Sequence, residues 1–300
     1  MHFVFEQVLT GLSIGSILLL AALGLAIIYG TIGVINLAHG EFIMLGAYAA
    51  WALKTYVGLS LLPGLVLIFV GVGLFGWLVE RILLRRLYQR PLDTILATWG
   101  IGVVLQQVIR LSAGGDLRYV ELPPSMAGSV SLMGVETSAY RIFIFVVAAL
   151  LFLISWFIIY RTTFGLKLRA VVQDRGVASS FGINADRVYS ATFAYGTGLA
   201  GLAGAIISPL KSVSPEMGTG YVVDAFMVVV LGGVQSLFGT VISAFSLGEV
   251  TGVIAFLQND TIGIIGDRGW CNPCQRYRWC RVGRRRREYF SASMSSRRHR

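Results

Sequence analysis

Apolar residues arrive in long runs separated by short polar stretches, from near the start of the chain to about position 257. Runs of about 17–25 apolar residues are long enough to cross a bilayer as helices. Eight can be marked: Val8–Ile28, Val34–Leu53, Leu61–Val79, Thr94–Ile109, Ile142–Tyr160, Tyr189–Leu210, Val222–Val234 (reaching to about Leu237) and Val241–Leu257. The pattern predicts an all-α fold, a polytopic membrane helix bundle of about eight transmembrane helices. The first run has Glu6 before it and lacks the basic flank and short apolar core of a cleaved signal peptide, so a retained helix is expected.

The polar stretches set the expected orientation. Arg81, Arg85, Arg86 and Arg90 form one basic loop, and residues 161–187 form another, with Arg161, Lys167, Arg169, Arg175 and Arg187. Two runs separate them, so they fall on one side, and the bias of Lys and Arg toward the cytoplasm places both there. The turn at Lys54, the Pro123-Pro124 loop, the Lys211–Tyr221 loop and the N-terminus are then external. Within the second basic loop, Asp174 to Asn184 has a small, mildly apolar centre closed by Gly182, a helix-stopping residue. Such a knob between spans suits contact with a soluble partner; alternatively the loop is simply solvated and its charges set topology. The sixth run is dense in Gly and Ala, with Gly196 and Ala200, and Gly201 and Ala205, four apart. That spacing lets helix backbones approach closely, within one subunit or across a dimer.

Ionisable and amide groups at membrane depth are costly and usually face a cavity or a partner. Asn36, His39 and Glu41 open the second run between Gly33 and Gly40. They line a broken segment at a cavity, or they sit wet at the cytoplasmic end. Thr98 and Gln106 lie eight apart on the fourth run, close to one helical face, where they bind a polar solute or bond to neighbouring helices. Glu249 lies deep in the eighth run and is a further pathway or structural candidate; Asp224 sits nearer the expected external end.

Composition agrees with the pattern: 55% of the 300 residues are hydrophobic, 13% are charged, and mean hydropathy is +0.72. A soluble domain carries about a quarter charged residues. No dinucleotide fingerprint, phosphate-binding Gly-Lys-Ser/Thr loop or zinc-protease His-Glu pair is present. If transport here uses ATP, another chain is expected to bind it. The net charge of +10 is concentrated at the end: residues 267–300 hold 11 basic and 2 acidic residues, a net of +9.

Gly33-Val-Ile-Asn-Leu-Ala-His-Gly-Glu41 resembles the hallmark of the high-affinity branched-chain amino acid ABC transporter permeases. So do Arg161-Thr-Thr-Phe-Gly-Leu-Lys-Leu-Arg-Ala170, Gly182-Ile-Asn184, the Gly/Ala-rich sixth run, and Gly232-Gly233 before Phe238-Gly239. The similarity covers about residues 5–262 in order. Arg90–Gly100 with Leu105-Gln-Gln107, and Gly218–Gly233, look closer to the urea-transporter branch, so urea is the expected solute and a branched-chain amino acid the alternative. An ATP-independent channel for a small amide solute is a further alternative, against which the knob argues. The resemblance implies a bacterial inner-membrane, multi-pass location and a set of partners. These are a second homologous permease subunit, cytoplasmic ATP-binding subunits, a periplasmic solute-binding protein, membrane lipid and a small-molecule solute. No cofactor, metal or nucleic acid is expected. It also assigns Asp174, Arg175, Ala178, Ser179, Ser180, Gly182 and Asn184 to ATPase coupling, with serines where alanines are more usual.

Residues 1–262 thus form the expected permease domain, and residues 263–300 depart from the family. Relatives continue with another apolar helix, whereas this chain reads Arg268-Gly-Trp-Cys-Asn-Pro-Cys274 and Arg284-Arg-Arg-Arg287. All three cysteines, Cys271, Cys274 and Cys280, lie here. A shifted reading frame is the favoured account: a ninth span lost to an aberrant, unstructured basic tail. A real tail that binds metal or lipid is the other.

Overall fold

The computed structural model describes residues 2–88, 90–122, 126, 128–132 and 135–269. Helix α1 (His2–Ile32) is followed by a non-helical segment, then α2 (His39–Ala52), which ends in a π turn over Leu53–Val57. Next come α3 (Leu61–Ile82), α4 (Pro91–Ala113) and a short antiparallel hairpin of β1 (Ser129–Leu132) and β2 (Val135–Ser138), with Ser129 opposite Ser138. Helices α5 (Ala139–Arg161), α6 (Thr163–Gln173), α7 (Arg175–Ser180), α8 (Ala185–Ile207), α9 (Met217–Gly232) and α10 (Leu237–Gly269) complete the chain. Among the described residues, six helices, α1, α3, α4, α5, α8 and α10, are long and apolar enough to cross a membrane. The chain is an all-α, multi-pass membrane protein.

Two of the eight expected spans are shorter than spans. The second has 14 α-helical residues before its five-residue π turn, and the α-helical part is about 21 Å at 1.5 Å per residue, against a hydrocarbon core of about 30 Å. The seventh starts at Met217 rather than Val222 and stops at Gly233, whose φ of +85° a side chain would resist. The loop 161–187 is also more ordered than its charge suggested. Helix α6 buries Gly165, Leu168 and Val171 on one face, leaves Lys167 exposed, and turns Arg169 back onto the Ile159 carbonyl and the Tyr160 ring of α5.

The chain divides into two compact units, Met1–Gly252 and Val253–Arg300. In the first, α8 is the central helix, packed on α1, α2 and α3. Its small residues serve contacts inside the chain. A methyl group at Gly196 would strike Ile28 and Gly24 of α1, one at Gly201 would strike Val72 of α3, and one at Gly204 would strike the Ile43 carbonyl of α2. The second unit holds the end of α10, so residues 263–269, the start of the expected unstructured tail, are helical. The rest of that tail, its three cysteines included, lies outside the described residues.

Candidate functional site

The non-helical segment after α1 begins at Gly33, with φ +70°. It carries the chain back into the bundle, and α2 starts level with the middle of α1: His39 is fully buried and its Nε2 lies 3.0 Å from the Ala21 carbonyl oxygen. That bond makes Nε2 the protonated nitrogen and leaves Nδ1 as an acceptor. Burial of His39 and of Glu41, which is 4% exposed, overturns the expectation that these residues are wet and supports the broken segment. Helix α9 starts at the same place. Gly40 and Gly218 pack backbone to backbone, and a methyl group at Gly218 would lie 2.6 Å from the Gly40 oxygen. From there the two short helices part. Helix α2 runs toward Leu53 and Gly64, and α9 toward Val234, which packs on Gly30 near the end of α1.

Five of the six predicted pathway residues gather at this junction. Asn36 Oδ1 accepts from the Ala38 amide at 3.1 Å. Thr98 Oγ1 accepts from the Leu37 amide at 3.2 Å. Gln106 Nε2 donates to Glu41 Oε1 at 2.8 Å and to Thr219 Oγ1 at 3.2 Å. Both α4 residues therefore make bonds between elements, the second of the two readings open from sequence. The sixth residue, Glu249, is elsewhere: it lies against Gly11 of α1, where Gly248 and Gly15 bring α10 and α1 together. Thr219 and Gly218 were not anticipated; their one signal was the Gly-Thr-Gly run that opens α9.

The junction is not fully satisfied. Among the described residues, eight buried side-chain polar atoms lack a hydrogen-bond partner, and three of them are Asn36 Nδ2, His39 Nδ1 and Glu41 Oε2. Leaving such an atom unpaired costs about 1–3 kcal/mol, more for a charged group. Asn36 also lines an apolar groove of about 480 Å³ that follows α9, walled by Leu25, Ile35, Val223, Phe226 and Met227.

A second region lies where the basic loops meet. Asp186 at the start of α8 pairs with Arg85 from the end of α3 and with Arg175 at 2.6 Å. This joins the two loops expected on one side. Asp174 Oδ1 caps α7 through the Val177 amide at 2.9 Å, and Asn184 Oδ1 caps α8 through Arg187 at 3.1 Å. Helix α7 ends in a left-handed Gly182 (φ +76°), with Ile183 donating to the Ala178 oxygen at 3.1 Å and Gly182 to that of Ser179 at 3.0 Å. Ala178 is buried, while Val177 and Phe181, four apart on one face, are 54% and 81% exposed. Ser179 and Ser180 return their hydroxyls to the helix backbone.

Behind this region sits a carboxylate that sequence reading passed over. Glu80 is fully buried and accepts from Tyr88 at 2.9 Å and from Ser190. Burial and the Glu80 carboxylate push the Tyr88 hydroxyl above its ordinary range, so Tyr88 stays a donor.

Comparison with known proteins bears on both regions. A family model described as "Branched-chain amino acid transport system / permease component" matches residues 7–267. The chain is 31% identical over 256 residues to the high-affinity branched-chain amino acid transport system permease protein BraD of Pseudomonas aeruginosa, covering 81% of this chain and 83% of BraD. It is 30% identical over 258 residues to the permease protein LivH of Salmonella typhimurium, covering 81% and 83%. It is also 29% identical over 262 residues to the permease protein LivM of the same organism, covering 77% of this chain and 60% of LivM. No solved structure matches.

Proposed function

The chain belongs to the branched-chain amino acid transport system permease family, and from that premise we propose that it is the membrane-spanning permease of an ATP-driven, binding-protein-dependent importer of branched-chain amino acids. The family match, which runs through nearly every described helix, carries this reading. It replaces urea as the favoured solute. The three relatives above carry a branched-chain amino acid designation and none a urea one. The amide of Gln106, a candidate for binding a polar solute, is engaged by Glu41 and Thr219.

In this reading the basic end is cytoplasmic, the membrane is the bacterial inner membrane, and a separate chain hydrolyses ATP. Similarity to both LivH and LivM supports a pair of related permease subunits. The ATP-binding subunits grip α7, with Val177 and Phe181 as the apolar contact and Asp174, Arg175, Ser179 and Ser180 around it. A push on α7 reaches Asp186 through Arg175, and from Asp186 it reaches α8 directly and α3 through Arg85. Helix α8 touches α2 along a seam of glycines, so the push arrives at the Gly40–Gly218 junction through close-packed backbone, which transmits displacement. The periplasmic binding protein delivers solute on the opposite side. An ATP-independent channel would have no use for the exposed, capped knob.

The test is uptake of radiolabelled leucine by cells that carry the chain with its partner subunits and lack other high-affinity leucine uptake. Uptake above the vector control that Phe181→Asp abolishes is expected. Urea uptake unaffected by leucine would overturn the assignment.

A further inference from the structure

The junction of α2 and α9 holds one buried carboxylate oxygen with no partner, and the transport reading leaves it without a role. Resting on that reading, we propose that the junction is the amino-acid site within the membrane: Glu41 Oε2 takes the ammonium of the solute, Asn36 Nδ2 its carboxylate, and the groove along α9 its branched side chain.

The assignment of ends follows from what is already spent. A helix start normally offers its amides to an anion, but here the Leu37, Ala38, His39, Glu41 and Phe42 amides are all bonded. The first turn of α2 moreover contains its own acidic residue. What remains unpaired is two acceptors, Glu41 Oε2 and His39 Nδ1, and one neutral donor, Asn36 Nδ2; of these only the carboxylate carries a charge that an ammonium answers. No Lys or Arg forms an ion pair with Glu41 among the described residues, and a carboxylate at membrane depth calls for a cation. The ammonium of an amino acid supplies one; urea has none to supply. Asn36 joins the polar cluster to the groove, since it lines both. A volume of about 480 Å³ with apolar walls and a single polar group suits a small solute with an aliphatic end. The outer wall, Val223, Met227 and Leu231, is more than half exposed, and the second permease subunit proposed above would close it.

Access to Glu41 is controlled by α4. This helix is tied to the core by polar bonds at three levels: Thr98 to Leu37, Gln106 to Glu41 and Thr219, and Arg110 to Glu216 at 2.7 Å. Its apolar residues Leu92, Leu96, Val104 and Leu111 face outward. Ile101, Leu105 and Ile109 pack toward the core with Met44 and Tyr48 of α2, so it is the Gln106 side chain, not the helix, that gives way to let the solute ammonium reach the carboxylate.

The test uses the assembled transporter in proteoliposomes at saturating binding protein, measuring uptake of radiolabelled leucine and alanine and, in parallel, ATP hydrolysis. Glu41→Gln keeps the shape and can still accept from Gln106. It is expected to lower maximal leucine uptake at least about tenfold, the loss of one charge-assisted bond, while subunit assembly and stimulated ATP hydrolysis persist. Glu41→Asp is expected to retain more uptake than Glu41→Gln. Val223→Phe fills the groove and is expected to lower leucine uptake at least about tenfold relative to alanine, the effect of about one misplaced methylene. Wild-type leucine uptake in Glu41→Gln, or equal loss of uptake and ATP hydrolysis, overturns the ammonium site. An unchanged leucine-to-alanine ratio in Val223→Phe overturns the groove. Absence of leucine uptake by the unsubstituted transporter instead overturns the transport reading, and the site with it.

Discussion

Gly218→Ala is the sharpest test of the junction geometry. The added methyl would lie 2.6 Å from the Gly40 oxygen, 2.7 Å from its carbonyl carbon and 2.8 Å from Glu41 Oε2. Two of these are backbone atoms and cannot rotate away. Restoring a tolerable contact near 3.4 Å requires α2 and α9 to part by about 0.8 Å, and a gap of about 0.5–1 Å forfeits a quarter to a half of the dispersion energy across it. Overpacking of this kind costs about 1–3 kcal/mol. At about 2–4 °C per kcal/mol for a large domain, the thermal midpoint of the purified complex should fall by about 2–12 °C. Gly220→Ala, on the same turn, is the control. A methyl there meets nothing within 4 Å, and alanine is the better helix former by up to about 1 kcal/mol. Thermal unfolding and leucine uptake, measured on both variants, decide the matter. Loss confined to Gly218→Ala is expected; equal behaviour of the two would refute the close approach of the helix starts.

The other predictions concern the basic end and the α4 ties. Phe181→Asp should abolish co-purification of the ATP-binding subunits while the permease pair stays assembled; retained co-purification would remove α7 from the interface. Asp186→Ala breaks two partly exposed ion pairs, worth at most about 1 kcal/mol each, so uptake should fall well out of proportion to any change in thermal midpoint. A parallel fall would make Asp186 merely structural. Glu80→Ala strands the Tyr88 and Ser190 hydroxyls in a buried site at about 1–3 kcal/mol each, whereas Glu80→Gln, which can still accept, should keep most of the stability. Thr98→Val removes the acceptor for the Leu37 amide, and leucine uptake should drop while Thr94→Ser, which keeps its hydroxyl, should not reproduce the loss.

Much of the architecture was legible in the sequence because bilayer-length apolar runs leave few alternatives. The break before α2 was marked by Gly33 and Gly40, yet its depth was not. Local residues cannot show that His39 reaches Ala21, which is a contact between different helices. The small residues of α8 signalled close packing, and only tertiary structure could assign that packing to α1, α2 and α3. Helix α6 was hidden by its charges, although Phe164, Leu168 and Val171 at three- and four-residue spacing carry a helical face. Glu80 follows an apolar run and precedes Arg81, and neither neighbour points to Tyr88 or Ser190 as its partners. Depth in a run left Glu249 open to a pathway or a structural role, and only the tertiary structure shows that it lies against Gly11 of α1. The urea reading leaned on the resemblance of Arg90–Gly100, Leu105-Gln-Gln107 and Gly218–Gly233, short stretches that the family match over residues 7–267 outweighs.

The most direct measurement is ATP-dependent accumulation of radiolabelled leucine and radiolabelled urea in the same proteoliposomes, reconstituted with this chain, its second permease, ATP-binding subunits and binding protein. The account predicts leucine accumulation that requires ATP and binding protein, that unlabelled isoleucine and valine compete away, and that excess urea leaves unchanged. Accumulation of urea without leucine, or leucine entry that proceeds without ATP, would contradict it.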